Sequence, residues 1–209
     1  MYRTRVILIR CLRGVRKRIC LNSTMMMCQA IQIQTRASMI FFTVGHTSTS
    51  VSLAAGLAKA RDLKGENGNV IAVIGDGSLS GGEALEGLDF AAELQSNFII
   101  IVNDNDMSIA ENHGGLYQNL ALLRKTDGKA ECNLFKAMGL DYVYVDRGND
   151  VAALIKAFKE VKDSTKPVVV HINTLKGKGY APAEKCKEQW HYSGPFDIET
   201  GKPLFDNVE

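Results

Sequence analysis

Two short stretches hold residues that could do chemistry. The first, "GDGSLSGG" (75–82), sets Asp76 between two glycines directly behind the apolar run "NVIAVI" (69–74). The second, Asn103, Asp104 and Asn105, closes another apolar run within "NFIIIVND" (97–104). A carboxylate and an amide at the ends of neighbouring strands are hard oxygen donors. They suit Mg2+, which takes octahedral geometry and completes its shell with water and phosphate oxygens. Gly75 and Gly77 would let the backbone approach a diphosphate, and N–H groups near the start of the following helix would help to hold it. Asp-Gly alone is ordinary turn chemistry. The informative unit is the pair of stretches with a single helix between them.

The elements that must position these residues follow from periodicity. "STSVSLAAGLAKARDLKG" (48–65) and "GEALEGLDFAAELQ" (82–95) have helical spacing, whereas "NVIAVIG" and "NFIIIVND" are continuous β-branched runs expected as buried strands. Further on, "CNLFKAMG" (132–139) and "NDVAALIKAFKEVKDS" (149–164) predict helices, the second capped by Asn149, and "DYVYV" (141–145) and "PVVVHINT" (167–174) predict strands. Apolar strands alternating with helices argue for a doubly wound α/β domain with a mostly parallel sheet. Ligands of such sheets gather at the carboxyl ends of the strands. Neighbouring strand ends lie roughly 5 Å apart, so Asp76 and Asn105 can reach one cation. The tail after Gly179 reads as loop with aromatic anchors Trp190, Tyr192 and Phe196.

Composition limits the alternatives. The 209 residues are 45% hydrophobic and 23% charged, enough for one ordinary core. No apolar run is long enough to span a bilayer. The five cysteines show neither metal-ligand spacing nor a dense disulfide pattern, which fits a reducing, cytoplasmic compartment. The net charge of +2 conceals an asymmetry, since the first acidic residue is Asp62 and ten Lys and Arg precede it. An acid-free basic start suits either a nucleic-acid arm or a transit peptide.

"GHTSTS" (45–50), "GDGSLSGGEALEGL" (75–88), "NDNDMSIAEN" (103–112), "KGKGYAPAE" (176–184), "WH" (190–191) and "FDIETGKP" (196–203) occur in that order. Together they resemble the N-terminal, thiamine-diphosphate-binding domain of the 1-deoxy-D-xylulose-5-phosphate synthases, over roughly residues 41–205. Transketolase proper shares the GDG logic but neither "NDNDMSI" nor "GHTSTS". Segment 113–130 is shorter than in many members of the family.

The resemblance implies a function and a set of roles. The family condenses pyruvate with glyceraldehyde 3-phosphate on thiamine diphosphate, releasing CO2 and supplying isoprenoid, thiamine and pyridoxal synthesis. Asp76, Asn105 and the backbone carbonyl of Met107 would bind Mg2+. Gly45, His46 and Thr47 would line the cofactor, with Gly77, Ser78 and Asn105 at its diphosphate and Tyr180 nearby. His191 and Lys176 are the candidate catalytic groups, the first for proton transfer or substrate orientation, the second as a cation facing phosphate. Without the resemblance, Lys176 and Lys178 read equally well as a solvated turn, and His171, inside a strand, reads as structural. The expected partners are the two small substrates and a second copy in a family homodimer, with no nucleic acid and no membrane.

Residues 1–40 match none of these motifs. Shifted by one base, "AIQIQTRASMI" (30–40) is compatible with "GYPNPNESEYD" and "ILIRCLRGVR" (7–16) with "YPHKMLTGRK", both motifs of the family in the expected order. The segment is therefore expected to be out-of-frame translation that adds no packed structure, with residues 41–209 forming the diphosphate-binding domain. The family's pyrimidine-binding and C-terminal domains lie beyond these motifs. The chain is expected to act as an N-terminal fragment, with the small subunit of a split transketolase-like enzyme and an inactive cofactor-binding remnant as the alternatives.

Overall fold

The computed structural model describes residues 5–8, 42, 46–191 and 193–204. The chain runs β1 (Arg5–Leu8), α1 (Ser50–Leu63), β2 (Val70–Gly75), α2 (Asp76–Leu79), α3 (Gly82–Ala92), β3 (Phe98–Asp104), α4 (Gly115–Lys125), α5 (Leu134–Ala137), β4 (Asp141–Val145), α6 (Val151–Val161), β5 (Pro167–Asn173) and α7 (Ala181–Lys185). The five strands form one sheet in the order β1-β2-β3-β5-β4, and every pairing is parallel.

Strand side chains alternate between faces, and both faces of this sheet are apolar. Val70, Ala72 and Ile74 of β2 join Phe98, Ile100 and Val102 of β3 in a core completed by helical residues including Val51, Leu88, Leu120, Leu123 and Phe135. Ile99 of β3 faces the other way, with Val168, Val170 and Ile172 of β5, where Ala157 and Val161 of α6 cover them. Helices thus lie on both faces, as the expected doubly wound α/β fold requires. The buried guanidinium of Arg61, at the end of α1, donates to the carbonyls of Gly68 and Asn97, both at 2.7 Å. It ties the lead-in segments of β2 and β3 together at the edge away from Asp76.

Four local expectations need correction. The "CNLFKAMG" helix is a single turn, with Asn133 accepting the N–H groups of Phe135 and Lys136. The α6 cap is Asp150, which accepts from Ala152, while Asn149 instead accepts the N–H of Leu175 at 2.6 Å. Helix α4, "GLYQNLALLRK", was not anticipated, although Leu116, Leu120 and Leu123 stand at helical spacing along it. The tail contains α7 and an isolated bridge between Phe196 and Pro203. A further departure lies in the first forty residues, where Arg5–Leu8 pair as an edge strand with Val70–Val73. Ladder pairing uses backbone groups that nearly any sequence carries, so the segment's lack of pattern did not prevent it.

Helices α1 and α3 meet where Gly87 faces Ser52: a Cβ at position 87 would stand 2.7 Å from the Ser52 nitrogen. In a free helix Gly→Ala gains about 1 kcal/mol, but overpacking of this kind typically costs about 1–3 kcal/mol. The backbone of Ser52 cannot yield as a flexible side chain would, so packing decides the sign. We expect Gly87→Ala to lower stability by about 1–2 kcal/mol in denaturant titration; a stabilised variant would show that the helices separate freely.

Candidate metal and diphosphate site

The register of β2 against β3 sets Gly75 opposite Asn103, so Asp76 leaves its strand beside Asp104 and the turn that follows. Asp76 opens α2 directly, only 2% exposed. Its Oδ2 accepts the backbone N–H of Met107 at 3.0 Å and the Asn112 side-chain amide at 2.9 Å. Burial, and then the neighbouring Asp104 charge, push its carboxyl up to about 7, while backbone N–H groups of Gly77, Met107 and Asn105 pull the other way. Among the described residues no ion pair reaches Asp76.

Asp104, fully buried, is treated differently. Burial pushes its carboxyl up, but hydrogen bonds from His171 and Arg124 outweigh that and hold it below the usual carboxylate range. His171 Nε2 and Arg124 Nη1 lie 2.8 and 2.6 Å from Oδ2, and Tyr142 Oη lies 2.7 Å from His171 Nδ1. His171 is thus structural, as its strand position suggested.

The side-chain oxygen of Asn105 is buried and has no hydrogen-bond partner among the described residues. Leaving such an acceptor unpaired costs roughly 1–3 kcal/mol. A buried carboxylate that meets no ion pair among the described residues, reached by the backbone of a residue whose own amide oxygen is unpaired there, is what a hard divalent cation would satisfy. The donor set fits Mg2+, with diphosphate and water for the remaining positions. It is not an all-protein cage: no cluster of three His, Cys, Asp or Glu able to hold a metal occurs among the described residues.

The cofactor-facing residues divide. Gly45 lies outside the described residues. His46 and Thr47 are exposed ahead of α1, and Ser48 Oγ donates to the Ser78 carbonyl at 2.7 Å, which joins "GHTSTS" to "GDGS". A Cβ on Gly77 would stand 2.5 Å from the Ser108 Cβ, whereas one on Gly75 would meet nothing within 4 Å. Close packing against Ser108 therefore requires glycine at 77, and the open approach lies at Gly75.

Lys176 and His191 come together, with Lys176 Nζ 2.7 Å from His191 Nδ1 and donating to the Ser108 carbonyl at 2.5 Å. Ser108 therefore links this pair to the Asp76 loop. Tyr180 packs with Trp190 and Phe196, ring centroids 5.1 and 5.7 Å away, and its buried hydroxyl has no partner among the described residues. That cluster fixes Trp190, and through it the adjacent His191. Asn112, Ser108 and Arg124 were missed in the sequence. Ser108 and Asn112 left a signal there, both lying within "NDNDMSIAEN", whereas Arg124 left none.

Residues 29–133 and 125–174 match the family model described as 1-deoxy-D-xylulose-5-phosphate synthase. The chain belongs to that family. It is 39% identical to the 1-deoxy-D-xylulose-5-phosphate synthase of Natranaerobius thermophilus over 77% of this chain and 31% of the relative. It is 43% identical to that of Listeria monocytogenes over 77% and 27%, and 42% identical to that of Campylobacter hominis over 78% and 32%. The chain spans about a third of the length of these curated relatives. The two family matches overlap at 125–133, from the end of α4 to the start of α5. The alignment with the Natranaerobius protein runs over 197 positions and that with the Listeria protein over 167 for the same share of this chain, so the shorter segment after "NDNDMSIAEN" is not peculiar to it.

Asp76 generates a pH dependence. Its folded-state carboxyl titrates near 7, above its ordinary 3.8, so the folded state holds a proton that the unfolded state has lost between those values. Stability from this group is complete below about pH 4 and is lost as pH rises through 7. Without divalent cation, we expect its contribution to fall by on the order of 3 kcal/mol between pH 4 and 8. Asp76→Asn should flatten that part of the profile, and identical profiles for the two proteins would refute the assignment.

Proposed function

We propose that this chain forms the metal- and diphosphate-binding part of a thiamine-diphosphate- and Mg2+-dependent 1-deoxy-D-xylulose-5-phosphate synthase. The enzyme would join a two-carbon unit from pyruvate to glyceraldehyde 3-phosphate with release of CO2. The observation that carries this reading is the buried Asn105 amide oxygen, without a partner among the described residues, on a residue whose backbone N–H reaches the buried Asp76 carboxylate. Asp76, Asn105 and the Met107 carbonyl would hold the cation, and Gly75, Gly77 and Ser78 would face the diphosphate. Bound thiamine diphosphate would supply the carbon nucleophile of the reaction.

The chain's own groups then have defined tasks. Lys176 Nζ stands 2.7 Å from His191 Nδ1. His191 would transfer a proton or orient the substrate, and the lysine beside it would favour anionic substrates. The Tyr180, Trp190 and Phe196 cluster excludes water from one side of that pair. The other wall of the site, with the group that assists proton removal from the cofactor, belongs to the family's pyrimidine domain. We propose that this domain comes from other residues of the complete enzyme, acting as a cytoplasmic homodimer, and that the residues ahead of the family match, which begins at residue 29, are translated out of frame. Sequencing of the codons up to Phe41 tests the latter.

Calorimetry with Mg2+ and thiamine diphosphate tests the site. Wild type should bind cofactor only with Mg2+, whereas Asp76→Asn and Asn105→Ala should weaken binding at least ~10-fold while folding normally. Equal binding by all three would defeat the assignment. The chain alone should give no product from pyruvate and glyceraldehyde 3-phosphate, because loss of general acid–base assistance typically costs about 10²–10⁴-fold. Addition of a chain bearing the remaining domains should restore turnover.

A further inference from the structure

The turn after β3 is held from a direction that cation binding does not explain. Asn105 stands between two aspartates, and one guanidinium grips both: Arg124 Nη1 reaches Asp104 Oδ2 at 2.6 Å and Nη2 reaches Asp106 Oδ1 at 2.6 Å. Asp104 Oδ1 accepts the Asp106 backbone N–H at 3.0 Å, and its backbone carbonyl accepts the N–H of Thr174 at 2.8 Å. Asp106 has a φ of 62°, the left-handed region, uncommon for non-glycine residues although aspartate enters it more readily than most. The next residue, Met107, gives its N–H to Asp76.

We propose that Arg124 is a positioning residue for the cation site, a two-armed clamp that spans Asn105 and fixes the turn so that the Asn105 amide oxygen and the Met107 backbone face Asp76. The proposal rests on reading Asp76, Asn105 and Met107 as cation donors. Arginine suits the task because its planar fork delivers two N–H donors in fixed directions, whereas a lysine ammonium is a single point of charge. Asp104 and Asp106 project on either side of Asn105, and only a forked donor holds both at once. Arg124 lies in the last turn of α4, whose Leu120 and Leu123 are buried in the core. The clamp is thus anchored by packing independent of the cation. Supporting residues of this kind orient donors, and their loss typically weakens metal affinity about 10–100-fold.

The test uses the full chain and the variants Arg124→Lys, Arg124→Gln and Asp106→Asn. Asp106 is largely exposed, so its variant removes one arm of the clamp with little risk to folding. Amide hydrogen exchange of the Asp106–Met107 segment, measured without metal, should accelerate at least ~10-fold in Arg124→Lys and less in Asp106→Asn. Exchange in β2 and β3 should stay unchanged. Mn2+ binding followed by electron paramagnetic resonance should weaken about 10-fold in the same order. Unchanged exchange at the turn would overturn the clamp whatever the metal does. Faster exchange with unaltered Mn2+ affinity would overturn its role toward the cation, provided Asn105→Ala abolishes binding. If Asn105→Ala binds Mn2+ as wild type does, the donor assignment itself fails and the positioning role falls with it, while the exchange result still reports on the clamp.

Discussion

A carboxylate taken out of water needs compensation, and the carboxyl edge of this sheet is arranged around that need. Two aspartates, 76 and 104, are buried at the ends of adjacent strands. Isolated burial of an ionised carboxylate costs several kcal/mol even after the protein relaxes, and two together repel each other. Only one receives a guanidinium from the protein. Arg124 and His171 satisfy Asp104, whereas among the described residues Asp76 meets neutral N–H donors, those of Met107 and Asn112 among them. This asymmetry separates a scaffold acid from one available to a ligand.

The asymmetry also organises the chain around it. Asp104 engages α4 and β5 and thereby sets the turn that follows β3. Asp76 engages the same turn from the opposite side through Met107. The turn is thus a shared wall between a closed network and an open site. Ser108 extends the wall, since its Cβ fills the space that Gly77 vacates and its carbonyl receives Lys176. Segments far apart in sequence, at residues 76, 105–112 and 176–191, are thereby held in one continuous run of contacts.

Much of this was legible in the sequence because it depends on local patterns. Continuous apolar runs gave β2, β3, β4 and β5 close to their observed ends, and the strand-end positions of Asp76 and Asn105 followed from the alternation of elements. What escaped depends on side chains meeting across space. Arg124 sits near the end of α4, and residue type alone does not show that its guanidinium reaches Asp104 and Asp106 across space. Asp150 displaced Asn149 as the α6 cap because Asn149 is engaged by Leu175, a contact between loops. The close packing of Gly77 against Ser108 also escaped, since a sequence does not reveal which side chain occupies that space. The pairing of Arg5–Leu8 escaped because edge pairing draws on backbone groups and leaves no signature in residue type.

Trp190 is the single tryptophan of the chain, and it sits edge-on to Phe196 with ring centroids 4.6 Å apart, one residue before His191. Its indole emission therefore arises from one place, the tail segment that carries the histidine toward Lys176. The protein contains its own optical reporter: changes in intensity or wavelength track docking of that segment, free of contributions from other tryptophans.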